Sequence, residues 1–149
     1  MLLEALRQGD TVFHYDKVSH AIIGASTVEA ERAMSRERYG EDVLVREIAA
    51  FRRFTQPVSL DTLRSRGSAL RRISDDLRRT QPRPHYFPFI WHGDVLRPAQ
   101  TYIAKLPAAA LQAVPELGGA LDTSPFNRRV GRRVEPLDVS IRRRDRDPF

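Results

Sequence analysis

The chain reads as an α+β protein, a partly open β-barrel with short helices at one side and a basic C-terminal tail. Three observations predict this. Two strand-like segments near the N-terminus follow a Gly9-Asp10 turn. Helical periodicity is confined to the middle and the later part of the chain. The order of strand, strand, strand, helices, extended aromatic segment, strand and helix is mixed rather than a strict β-α-β alternation. At 149 residues, with 41% apolar and 30% charged side chains, there is material for one core and a well-solvated surface.

Residues 2–7 read as the end of a helix or a lead-in closed by Gly9, where glycine suits a left-handed stop. Thr11 to Asp16 and Ala21 to Val28 form the opening antiparallel hairpin. Alternation puts Val12 and His14 on one face and Phe13 and Tyr15 on the other. Residues 29–42, charged and broken by Gly40, read as an exposed connection with one helical turn. Residues 43–54 read as a long strand that Pro57 ends. Ser59 is an N-cap for a short helix over residues 60–63, with Asp61 in the dipole-favoured first turn. Gly67 separates this helix from a second, in which Leu70, Ile73 and Leu77 mark an apolar face and Arg71, Arg72, Arg78 and Arg79 the solvated ones.

The prolines at 82, 84 and 88 force residues 81–94 into extended or turn geometry. They also punctuate the densest cluster of rings in the chain. Residues 100–104 read as a strand, Pro107 opens a helix that runs to Val114, and Gly118-Gly119 reads as a turn. From Asp122 onward the apolar residues thin out and arginine dominates, the pattern of a basic linker or tail. The chain stops at Asp147-Pro148-Phe149 in the way a linker toward a further domain would.

Composition excludes several chemistries. With no cysteine there is no disulfide framework, thiolate zinc site, cysteine nucleophile or zinc-deaminase signature. His14, His20, His85 and His92 fall at no zinc-protease spacing, and no phosphate-binding or dinucleotide-binding glycine pattern is present. No run of apolar residues is long enough to span a membrane, and the N-terminus lacks the pattern of a signal peptide. The expectation is a cytoplasmic protein without cofactor or membrane partner. Net charge is +6, and Lys17 and Lys105 are the only lysines. Arginine binds phosphate bidentately and stacks on bases, so the balance points to nucleic acid.

Three pieces of the chain, in order, resemble EVE-like domains of the PUA superfamily. The first is the hairpin Gly9-Asp10-Thr11-Val12-Phe13-His14-Tyr15 with Ile22-Ile23-Gly24-Ala25-Ser26-Thr27-Val28. The second is Phe51 to Leu63, similar to the family's strand, proline and short helix. The third is Phe87-Pro88-Phe89 with Leu96-Arg97-Pro98-Ala99-Gln100-Thr101-Tyr102-Ile103-Ala104-Lys105-Leu106-Pro107. The resemblance implies a PUA-like barrel over residues 9–117, a lead-in over 1–8 where the family carries a first strand, and a basic linker or tail over 118–149. It also implies a reader of modified bases in DNA, as found at the front of modification-dependent restriction endonucleases. An HNH nuclease domain or subunit would then be the partner, and no His-Asn-His constellation lies in this chain. An RNA-binding PUA-like module, or a protein-interaction adaptor with a basic tail, is the alternative.

A base reader needs a flat apolar slot, polar groups for the base edge, and a cationic rim for phosphates. Phe13, Tyr15, Phe89, Trp91 and Tyr102 are candidates for the slot, and His14, Ser26 and Gln100 for the base edge. Arg83 and Arg97 with the tail residues Arg128, Arg129, Arg132 and Arg133 are candidates for the rim. Trp91 stands out because the proline-punctuated segment reads as a loop rather than a strand. The tail is expected to add affinity without selectivity, since phosphate contacts carry no base information. A catalytic reading is weaker. Asp75 and Asp76 point about 100° apart on a helix, His92 and Asp94 flank a turn glycine, and Ser26 has no base partner legible in sequence.

Overall fold

The computed structural model of the chain describes residues 5–29, 34–38, 41–45, 47–80, 87–101 and 104–123. Gly9, at φ 88°, makes the left-handed turn expected of it, and its N–H donates to the Val28 carbonyl at 2.9 Å. That bond closes the base of a hairpin formed by β1 (Thr11–Asp16) and β2 (Ala21–Val28). β2 is the centre of a three-stranded antiparallel sheet, flanked on its other side by β5 (Ile48–Ser59). Two further ribbons complete the described strands: β3 (Met34–Arg38) with β4 (Glu41–Val45), and β6 (Phe89–His92) with β7 (Val95–Pro98).

β5 is irregular. Its register against β2 shifts between the Ala25 and Thr27 pairings and again between Ile22 and Gly24, and Ala50 takes a positive φ of 53°. Extra residues on one strand of a pair bend it and strengthen its twist. They also explain how Pro57 lies inside the strand, where the sequence reading ended it. The proline falls in the unpaired stretch between Arg53 and Val58, where the missing N–H costs no ladder bond.

Four helices lie among the described residues, and the first is closed by a side-chain cap. Helix α1 (Leu60–Ser65) starts at Ser59, whose Oγ accepts from Thr62 N at 3.1 Å, as expected. Helix α2 (Gly67–Thr80) follows after Arg66 and buries Leu70 fully, with Ile73 and Leu77 packed against the core. Pro107 precedes α3 (Ala108–Ala113) as its extended N-cap, one position earlier than the sequence reading placed it. Helix α4 (Pro115–Thr123) absorbs Gly118-Gly119, expected to be a turn. Leu117 and Ala120 on its inner face are buried, and that packing outweighs the weak helix preference of glycine.

One core joins the elements: Ile22 and Ala25 of β2, Phe54 and Val58 of β5, Leu60 and Leu63 of α1, Leu70, Phe87, Phe89, Leu96, and Ala110, Val114 and Leu117. Phe13 and Tyr15 pack against it from β1. The fold is α+β, with small antiparallel sheets and short helices. Among the described residues the sheets do not close into a barrel. β3 and β4 pair as a ribbon where a connection with one helical turn was expected over residues 29–42, and the long strand expected over 43–54 is divided between β4 and β5. β7 ends at Pro98, ahead of the strand expected over residues 100–104, of which 102 and 103 lie outside the described residues.

Candidate functional site

Because β1 alternates, burying Phe13 and Tyr15 necessarily turns His14 to the other face of the sheet. His14 pairs with Gly24 on β2, and Val12 with Ser26, so His14 and Ser26 are diagonal neighbours on that face. Their side chains meet: His14 Nε2 and Ser26 Oγ share a hydrogen bond of 2.8 Å. The base partner of Ser26 that sequence did not reveal is therefore His14. Ser26 is almost completely buried, which shields its hydroxyl from a bulky substrate. Burial also lowers the pKa of His14, so the imidazole is neutral near neutral pH.

Phe51 completes the cluster. Its ring meets His14 edge-on, with centroids 5.2 Å apart and planes at 84°. Gly24 makes this approach possible. A Cβ there would lie 2.4 Å from the Arg52 carbonyl oxygen and 2.8 Å from the Phe51 ring. Sequence reasoning missed both residues as site components. The one signal available was a glycine inside a β-branched strand, which often marks close approach of another backbone or ring.

The remaining base-edge and slot candidates are placed elsewhere. Tyr15 lies on the core face. Its hydroxyl is buried with no hydrogen-bond partner, and desolvation raises its pKa, with the charge of Arg64 pulling the other way. Phe89 is 5% exposed, inside the core, so it presents no face to a ligand. Trp91 lies in strand β6, not in the loop expected for it, cross-strand from Leu96. It is partly buried, stacks on Phe87 at 6.2 Å and packs against the core. The physical reason is alternation along β6, which sends positions 89 and 91 inward and 90 and 92 outward. Gln100 is exposed at a bend after β7. The sheet thus brings His14 and Ser26 together and leaves Phe89 and Trp91 across it, on the core side.

Of the phosphate candidates, Arg97 is exposed on the outer face of β7, opposite Ile90. Arg83, Arg128, Arg129, Arg132, Arg133 and the slot candidate Tyr102 lie outside the described residues. Several other arginines are committed to structure. Arg64 Nε donates to the Leu96 carbonyl at 3.2 Å, tying α1 to β7. Arg71 donates to Gly93 O and Asp94 Oδ1, bracing the β6–β7 turn against α2. Arg66 pairs with Glu116 at 2.7 Å, and Arg79 with Asp76. Glu116, whose carboxylate is stabilised first by that Arg66 hydrogen bond, has a lowered pKa.

Among the described residues no three His, Asp or Glu side chains gather where they could hold a metal ion. No helix there is long and apolar enough to cross a membrane. Comparison of the chain with protein-family models, with curated proteins and with solved structures gives no match.

Proposed function

We propose that the chain is a nucleic-acid-binding reader module, built on a PUA-like, partly open barrel, that recognises a modified cytosine flipped out of DNA. In this reading it is the cytoplasmic specificity part of a modification-dependent restriction system, working with a nuclease domain or subunit. The observation that carries the reading is the His14–Ser26 pair beside the Phe51 ring, on the sheet face away from the core. Ser26 engages Nε2 and fixes the imidazole, leaving Nδ1 as the group for a base edge. A neutral imidazole offers either a donor or an acceptor there, depending on the tautomer that Ser26 selects. Phe51 supplies a flat apolar surface next to it.

Charge supports the same reading. Arg72, Arg78, Arg97, Lys17 and Lys105 are exposed and make no ion pair among the described residues, whereas Asp61, Asp76, Asp94 and Glu116 are each matched by an arginine. Exposed cations of this kind, in a chain of net charge +6, suit a polyanion. The test is a gel-shift series with plain, 5-methylcytosine and 5-hydroxymethylcytosine duplexes, and a ribo-oligonucleotide competitor at one fixed salt concentration. Tighter binding of one modified duplex is expected. Equal affinity for all three overturns modification reading, and preference for the ribo-oligonucleotide assigns the module to RNA.

A further inference from the structure

Val18, at the tip of the β1–β2 hairpin, is 90% exposed, the most open of the large apolar side chains described. Single exposed apolar residues are ordinary on protein surfaces. What sets Val18 apart is the turn beneath it, which is held from both ends although the tip itself packs on nothing. On one side the Asp16 carboxylate accepts from Val18 N at 3.2 Å, Ser19 N at 2.9 Å and Ser19 Oγ at 2.5 Å. On the other, His20 adopts a left-handed φ of 50° and its carbonyl accepts from Leu60 N at 2.8 Å, at the start of α1. Leu60 is a core residue, so the tip is coupled to the folded body.

Two cations lie about the tip: Lys17 precedes Val18 and is exposed, and the charge of Arg53 acts on Asp16 beneath it. The only acid of the turn, Asp16, has its charge directed into the turn's own N–H and O–H donors. A rigid apolar point in a cationic setting suits a partner that is anionic outside and apolar within, which is the description of a stacked duplex.

We propose that the Lys17–Val18 tip is a wedge that the protein presses into the base stack of duplex DNA, Val18 entering between bases while Lys17 holds the adjacent phosphate. The proposal rests on the reading of the chain as a DNA-binding reader and adds a separate element to it. Val18 lies four residues from His14 on the same hairpin, at most about 13 Å away even if the chain between them were fully extended. One duplex can therefore meet both. Unstacking a step costs a few kcal/mol, and a preformed wedge supplies apolar contact to offset it without the entropy of ordering a loop.

The experiment compares the full chain with V18A and K17Q. The probes are a short duplex carrying one 5-methylcytosine flanked by 2-aminopurine, and the same strand alone. The unaltered protein is expected to bind the duplex and raise 2-aminopurine fluorescence. V18A, which should melt within a degree or two of the parent because Val18 packs on nothing, is expected to bind the duplex about tenfold more weakly. It should lose the fluorescence rise and bind the single strand as the parent does. K17Q should weaken both probes. If the parent binds the duplex and V18A matches it in affinity and fluorescence, the wedge is overturned while the reader reading stands. If the parent binds neither probe, the reader reading fails and takes the wedge with it. A Val18-dependent loss seen on anionic phospholipid vesicles, with duplex binding unchanged, also overturns it.

Discussion

Gly24→Ala tests the geometry on which the candidate site depends. Gly24 lies on the central strand, between His14 of β1 and Arg53 of β5. A methyl group there would stand 2.4 Å from the Arg52 carbonyl oxygen and 2.8 Å from Cε2 and Cζ of Phe51. The ring can rotate aside, but the carbonyl belongs to a paired strand and moves only if the sheet opens. Overpacking costs about 1–3 kcal/mol when side chains can shift, so a backbone collision belongs at the top of that range, about 3 kcal/mol. For a protein of this size each kcal/mol lowers Tm by about 2–4 °C, giving an expected fall of about 6–12 °C by circular dichroism. A double-mutant cycle with Phe51→Ala separates the two collisions. Removing the ring should recover about 1 kcal/mol as coupling, and the carbonyl should retain the rest. A G24A protein melting within about 1 °C of the parent would refute the register, and complete rescue by F51A would refute the backbone contact.

The other predictions address single groups. His14 is partly buried with a pKa lowered by desolvation, so below its ordinary value near 6.5 the unfolded chain takes up a proton more readily than the folded chain. Stability should therefore fall as pH drops from about 6.5 toward the lowered folded value, and His14→Leu should remove that slope in urea melts at stepped pH. The pKa of Asp16 is lowered, chiefly by the Ser19 hydroxyl, so its clamp should hold above the ordinary carboxylate range and fail as pH falls through the lowered value. Asp16→Ala should speed amide exchange at Val18 and Ser19 with little change in global melting. Trp91→Ala should cost about 2 kcal/mol, less than a fully buried tryptophan, with any loss of DNA binding tracking the unfolded fraction; unchanged melting with lost binding would return Trp91 to a ligand site. Arg97→Gln should weaken plain and modified duplexes alike and reduce the log–log salt slope by about 0.9.

How far the sequence was legible depends on where each signal comes from. Local signals were read correctly: alternation in β1, Ser59 as a cap, Gly9 as a left-handed turn, and the Leu70, Ile73 and Leu77 stripe of α2 all depend on neighbours within a few residues. Pairings beyond the opening hairpin were not. The β3–β4 ribbon is charged (Met34–Arg38 reads MSRER) and shows no apolar alternation, so only its cross-strand pairing marks it as strand. Gly118-Gly119 is helical because Leu117 and Ala120 beside it are buried, a fact of packing. The prolines that precede Trp91 predict a loop there. Its partner Leu96 lies beyond the Gly93-Asp94 turn, and the pairing of the two strands decides the matter.

The site shows the same division. Alternation alone puts His14 opposite in sense to Phe13 and Tyr15, but it cannot say which residue of another strand stands beside it. That information lies in the bulges. One shift in the β1–β2 register falls between His14 and Tyr15, and the β2–β5 register shifts on both sides of the Gly24–Ala25 pairings. A one-residue slip would send a strand's side chains to the opposite face. The irregularities are thus what carries Phe51 over Gly24 and onto His14. A hairpin with a regular β5 partner would keep the same core residues inside and the same His14 outside, yet would offer the imidazole a different neighbour. Core and site are therefore separable in this sheet: alternation builds the first, and the bulges of β5 build the second. Substitutions that regularise β5 near Ala50, where a left-handed φ favours glycine or asparagine over alanine, should disturb the His14–Phe51 contact before they disturb the core.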